Sequence, residues 1–252
     1  MIEIKDSQFI FKHPVTSPFG LMRFLTYEEY MDNQAELSII SQNVLHLFYI
    51  FRKSIPVHRK QELKEFDSFK TRELHDIVYE HPELRAAYMK IFILMLDQNE
   101  FMRSSEDALM VLQDIFENKD AFLMMRDLIM KMNLLKEEKV SPQPRLQQIF
   151  ENDKKIKAER DKNAPTHMDI LTSIANLGIG FETLAKESPF QIQMRFAKIA
   201  AKEDYRRNIL FATVSNEVTI ESWARKIDLF EVKDTSAISK AEFDQKYAGM
   251  FK

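Results

Sequence analysis

The run Ser188-Pro189-Phe190-Gln191-Ile192-Gln193-Met194-Arg195-Phe196-Ala197-Lys198-Ile199-Ala200-Ala201-Lys202-Glu203-Asp204-Tyr205, continuing to Thr213, decides how the chain is read. Serine before proline is a helix start, because the hydroxyl can accept from an orphan amide and proline at the first helical position has no amide to leave unpaired. At helical spacing Ile192, Phe196 and Ile199 share one side, and Met194, Ala197, Ala201 and Tyr205 share another. Two apolar sides predict a central strut buried against two neighbours, and therefore an all-α body. Between those sides Arg195, Lys198, Lys202 and Arg206 form one basic stripe, with Arg207 beside it.

Working outward, the same helical period recurs along most of the chain. Leu37 to Lys53 is apolar on nearly every side, which predicts one helix surrounded by others. Residues 59 to 80 carry Leu63, Phe66, Phe69 or Lys70, Leu74, Ile77 and Val78 on a charged background, an outer helix that His81-Pro82 ends. Further helices are predicted over Glu83 to Asp97, from the cap Ser104-Ser105 to about Asn118, and over Lys119 to Glu138. Thr166 with Asp169 has cap spacing and opens a helix that stops near Gly178, and Phe181 to Lys186 forms another. Thr219 to Leu229 and a short element from Ser239 to Gly249 complete the helical reading.

Only the opening differs. Ile2/Ile4, Gln8 to Phe11 and Leu21 to Phe24 are short strand-like runs separated by turn residues, and they predict a small antiparallel β element before the capping box Thr26-Tyr27-Glu28-Glu29. Val140-Ser141-Pro142-Gln143-Pro144 cannot continue a helix. The expected organisation is an N-terminal lobe over 1–139, a linker and charged helix over 140–165, and a C-terminal helical lobe over 166–252. Within the linker, Leu146, Ile149, Phe150 and Ile156 are the apolar residues of a highly charged segment, read as a solvated helix in preference to a connector that orders on binding. The fold expected is thus an all-α bundle of about eight to ten helices with a small N-terminal antiparallel β element.

Composition narrows the chemistry. The 252 residues contain no cysteine, so no disulfide framework and no thiolate zinc site can form. A formal charge of −3 gives no global field that would draw the protein onto nucleic acid. Four glycines in the whole chain argue against phosphate-cradling loops. The N-terminus lacks a signal-peptide layout and the longest apolar stretch, Leu37 to Phe51, is too short to span a bilayer, so a cytoplasmic protein is expected.

The six histidines include no pair at i, i+4, and His75, Asp76 and His81 read as a helix end and not as metal ligands. No nucleophile elbow, Walker loop or dinucleotide fingerprint is present, and paired carboxylates such as Glu28/Glu29 sit in solvated contexts. No catalytic residue, metal or cofactor is assigned. Fourteen Met and twenty Phe fit either a core or an adaptable surface for gripping other chains. Met124, Met125, Met130 and Met132 are the candidate floor of such a surface, with Trp223 as a second contact. The basic stripe is either a solvated face diluted by Glu203 and Asp204 or a grip for phosphate or an acidic partner.

Asp169 to Ile174, Gly180 to Leu184, Ser188 to Gln191, Tyr205, Leu210 to Val214 and Ile220 to Trp223 resemble the helical tail assembly chaperones of bacteriophages of Gram-positive hosts. Ser17 to Gly20, Arg23 to Tyr30 and Asn43 to Leu47 have the same character, so the resemblance covers about half the chain. It implies a non-enzymatic factor of the host cytoplasm that binds tape measure and tail tube proteins during virion morphogenesis and leaves the finished particle. Two other expectations stand beside it. One is a phage-encoded regulator or inhibitor that binds a host protein or nucleic acid through the basic helix face, and the other is an enzyme assembled from distant helices.

Overall fold

The computed structural model describes residues 2–55, 67–96, 105–137, 139–160, 165–214 and 219–230. Among these, twelve α-helices accompany one two-stranded antiparallel sheet. In chain order they are α1 (Asp6–Phe11), β1 (Val15–Ser17), β2 (Gly20–Met22), α2 (Tyr27–Asp32), α3 (Gln34–Ile40), α4 (Val44–Ser54), a 3-10 turn (Asp67–Thr71), α5 (Leu74–Glu80), α6 (Pro82–Met95), α7 (Ser105–Glu117), α8 (Lys119–Met132), α9 (Pro144–Arg160), α10 (His167–Ala175), α11 (Phe181–Lys186) and α12 (Pro189–Ala212). The all-α class with a small N-terminal β element is what forms.

Several expected elements differ in kind. Gln8 to Phe11 is the second half of a helix, because the Gln8 side chain accepts from the Lys5 amide at 2.9 Å and Phe9 is buried against Phe24 and Phe190. A four-residue apolar run does not by itself separate helix from strand, and here the burial of one ring decides. The sheet is instead a hairpin of Val15–Ser17 with Gly20–Met22, and Met22 bridges onward to Leu96. Leu37 to Lys53 is two helices, since Asn43 caps α4 by accepting from the His46 amide at 3.0 Å. Of the helix expected over 59 to 80, the described part is the 3-10 turn followed by α5, and Leu63 and Phe66 lie outside the described residues. Helix α8 stops at Met132 because Leu134 turns left-handed, with φ 55. Thr219 to Leu229 is not helical, and the element expected from Ser239 to Gly249 lies outside the described residues.

Two apolar clusters hold these elements. The larger gathers α3 to α8 around Phe48, Tyr88, Phe92, Phe122 and Met125, with rings of Tyr88, Phe92, Phe116 and Phe122 between 5.0 and 6.2 Å apart. The smaller is built from Tyr27, Ile170, Ile174, Leu184 and Ile192. Tyr27 therefore joins the N-terminal segment to α10, α11 and α12. Its amide donates to the Glu187 carbonyl at 2.6 Å, and its hydroxyl shares a 2.6 Å hydrogen bond with His167 Nδ1. The expected central strut is only half realised: Ile192 and Ala201 of α12 are buried, whereas Leu210 and Phe211 at its far end are exposed. Periodicity identified the apolar sides of α12 but not how far the neighbouring helices extend along them.

Candidate functional site

Helix α9 begins at Pro144 directly after the non-helical residues 140–143, and the Ser141 amide donates to Gln147 Oε1 at 3.0 Å across the turn. With roughly 100° per residue, Leu146, Ile149, Phe150 and Ile156 fall within about 120° of one another. All four are exposed, between 41% and 53%. Gln147, Glu151 and Lys154 lie on the flank toward α4, and Phe150 sits where the two sides meet. Asp153 falls within that stripe and, like Phe150, lines the space beside α4, whereas Leu146, Ile149 and Ile156 do not line it.

A cleft of about 500 Å³ runs between α4 and α9. Tyr49, Ile50, Val140 and Phe150 supply its apolar surface, and Lys53, Lys139, Lys154, Glu151 and Asp153 its charged rim. The Tyr49 hydroxyl donates to the Ser141 carbonyl at 2.8 Å and ties α4 to the start of α9. Burial pushes the Tyr49 phenol above its ordinary value, with Glu151 and Asp67 adding to the rise against Arg52. It stays protonated and keeps that bond over any ordinary pH. An apolar floor between two helices with charges on both edges is the form that accepts an amphipathic helix.

The other sequence-derived candidates fall elsewhere. Met125 and Met132 are fully buried in the larger cluster, so they are core and not a client-binding floor. Met130 is half-buried against that cluster and lines a cavity of about 290 Å³ with Arg126 and Glu137, while Met124 is half-buried on the outer side of α8. The physical reason is that α8 is packed on two sides, by α7 and by α5, and the Met interleaving follows those contacts. Trp223 is exposed in a turn of the 219–230 segment, about 90 residues beyond the end of α8 in sequence.

The basic stripe of α12 is largely engaged. Arg195 donates to the nearly buried Glu187 carboxylate at 2.8 Å, Arg206 pairs with Glu203 at 2.8 Å, and Arg207 with Asp204 at 2.5 Å. Lys198 donates to the Arg225 carbonyl at 2.6 Å, which ties the 219–230 segment to the helix. Exposed Lys202 makes no such contact among the described residues. Pairing of this kind dilutes the field that a phosphate would feel. Among the described residues no group of three or more His, Asp or Glu is placed to hold a metal, and no helix is long and apolar enough to cross a membrane.

Residues 2–142 match the family described as the YomV N-terminal domain. The chain belongs to that family. The YomV match ends at the turn between the helical body and α9, so the cleft lies at its C-terminal edge. Over 237 residues the chain is 27% identical to the SPbeta prophage-derived uncharacterized protein YomV of Bacillus subtilis (strain 168), covering 92% of each chain. That relative supports the phage origin expected from the sequence, while the tail assembly role is named by neither match. No solved structure matches the chain.

Proposed function

We propose that this YomV-family protein is a non-enzymatic assembly factor that holds an amphipathic helix of another phage protein in the cleft between α4 and α9. The observation that carries the reading is the exposed apolar stripe of Leu146, Ile149, Phe150 and Ile156 on an otherwise charged helix, beside a cleft floored by Tyr49, Ile50 and Val140. Exposing four large apolar side chains on one helix costs solubility unless a partner covers them. Kinship to a prophage protein supports a phage client, and the tail assembly chaperones that the sequence resembles make tape measure and tail tube proteins the first candidates. Such a factor acts in the host cytoplasm, where tails are built. The contact surface moves from the α8 methionines to α9 and α4. The rival reading, a regulator gripping nucleic acid or a host protein through Arg195, Lys198, Lys202 and Arg206, draws less support because three of these four are already bonded within the chain.

The test is affinity recovery of the tagged protein from cells in which the phage is assembling, with the wild type beside Ile149→Glu/Phe150→Glu. Recovery of a tail component by the wild type and its loss from the variant is the expected result. Recovery of host proteins alone, or of the same tail component by both, removes the proposal.

A further inference from the structure

Residues 231–252 follow Phe230 and lie outside the described residues. The point from which they leave the body is well anchored. Lys198 holds the Arg225 carbonyl, Leu229 lines a cavity of about 210 Å³ with Tyr30 and Pro189, and the Phe230 ring lies 5.2 Å from that of Phe9 and 6.2 Å from that of Phe190. Phe230 also lines the cavity of about 290 Å³ that Glu137 borders. Two residues beyond Glu137, Lys139 begins the lining of the cleft between α4 and α9. Two residues span at most about 7 Å of chain, so the last anchored ring is one cavity away from the cleft.

The sequence of that segment suits the cleft. Ser239-Lys240-Ala241-Glu242 has capping-box spacing and Gly249 is a stop, which predicts a short helix between them. At about 100° per residue Phe243 and Tyr247 share one side, with Lys240 and Asp244 on one flank and Glu242 and Lys246 on the other. Each flank carries both signs of charge, as does the cleft rim with Lys53, Lys154 and Glu151. The intervening stretch 231–238 reaches about 25 Å when extended. A flexible tether of that length gives an effective concentration on the order of 1 mM, so even a weakly held helix fills the cleft much of the time. An apolar groove of about 390 Å³ beside Ile2, Ile4 and Phe9 also adjoins Phe230. Its wall from Ile2 to Ile4 is non-helical, so it lacks the pair of helices that seats a third.

We infer that the C-terminal segment of this same chain, seated by Phe243 and Tyr247, occupies the cleft between α4 and α9 until a client helix displaces it. The inference rests on the assembly-factor reading of that cleft and adds its regulation. With no client present, the segment covers Tyr49 and the exposed Ile50. A client then meets a competitor. Its apparent affinity falls in proportion to the fraction of time the cleft stands open, so a cleft open one-tenth of the time binds about tenfold more weakly. Helices that match the cleft poorly are refused, because they cannot outbid a tethered segment.

The test places a nitroxide on the segment. Gln245→Cys in the full chain takes a single label, because the sequence has no cysteine of its own, and position 245 faces away from Phe243. Methyl NMR is expected to show loss of the Ile50 and Val140 signals while those of Ile2 and Ile4 remain. Phe243→Glu/Tyr247→Glu in the same labelled chain should restore them. Retention of the Ile50 and Val140 signals overturns the inference, and so does loss at Ile2 and Ile4 in their place. A mixture with the nitroxide and the isotope on different molecules should show no loss; loss there makes a second copy the occupant and overturns it too. None of these readings needs a client. In affinity recovery from cells assembling the phage, Phe243→Glu/Tyr247→Glu should recover at least about threefold more of the tail component than wild type. Equal recovery overturns the inference. If neither chain recovers a tail component while the Ile50 and Val140 contact holds, the occupancy stands and the assembly-factor reading alone falls.

Discussion

The Arg126 guanidinium, on α8, donates from Nε to the carbonyl of Ile40 at 3.0 Å, the last residue of α3. It also donates to the Gln42 carbonyl at 3.1 Å and pairs with Glu137 at 2.7 Å. A buried cation thus closes the C-terminal end of one helix, where orphan carbonyls and the helix dipole both favour positive charge. This contact is why the apolar run from Leu37 breaks into two helices without leaving its carbonyls unpaired in the core. Arg126→Met should lower stability by about 2–4 kcal/mol, since it takes the guanidinium from the Ile40 and Gln42 carbonyls and from the Glu137 carboxylate, leaving Ile40 only its longer contact with the Tyr88 hydroxyl. Arg126→Lys should recover less than half of that, because an ammonium cannot reproduce the planar fork. Urea denaturation of the three proteins measures it, and a methionine variant as stable as wild type removes the assignment.

The capping box of α2 sets an acid limit. Burial alone would raise the Glu29 carboxyl, but hydrogen bonds from Arg23 and the Thr26 amide, with the charge of Arg23, outweigh it and the group lies below its ordinary value. A depressed carboxyl contributes stability above its unfolded value of about 4.3, and that contribution is lost as pH falls through the folded value. Glu29→Gln should therefore be less stable than wild type at pH 7, with the gap narrowing below about pH 4. Parallel melting curves from pH 7 to pH 3 check the sign, and a gap that widens on acidification contradicts it.

Leu134 reverses an ordinary ranking. At most positions glycine is less stable than alanine by about 0.5–1 kcal/mol, through the entropy of the unfolded chain. At a left-handed residue alanine keeps the strain and glycine loses it. Both substitutions remove the same half-buried side chain beyond Cβ. Leu134→Gly should therefore be the more stable of the two by about 1 kcal/mol. The usual order in chemical denaturation would show that the turn is not strained.

How much of this was legible in the sequence depends on the range of the forces involved. Local chemistry was readable: Thr26, Thr166 and Ser188 cap the helices their spacing predicts, and each is a contact within three residues. The solvated α9 was readable too, because few apolar residues on a charged segment cannot be buried. Breaks enforced from a distance were not. Arg126 lies more than 80 residues from the α3 end that it closes, and the helical state of Gln8 to Phe11 depends on Phe190. Periodicity also could not tell a methionine on a core-facing side from one on a groove, so Met125 and Met132 were candidates on composition alone. The cleft lining at Tyr49, Ile50 and Val140 had a signal, an apolar residue at the end of a linker opposite an apolar helix, but no spacing rule connects segments so far apart.

Tyr27 sets the order in which the two clusters open. The smaller cluster has five buried apolar residues, and Tyr27 is the one contributed by the N-terminal segment. Burial, with the neighbouring Tyr30, pushes its phenol up to about 12, so the hydroxyl stays protonated beside His167. Truncating such a ring costs about 3–5 kcal/mol, and the loss falls on the docking of α10 to α12 while the Phe-rich cluster keeps its contacts. Tyr27→Ala should therefore raise hydrogen exchange over residues 167–201 by at least about a hundredfold while 82–95 stays close to wild type. Equal acceleration in both regions would mean that the two clusters open as one unit, and that Tyr27 is a core residue like any other.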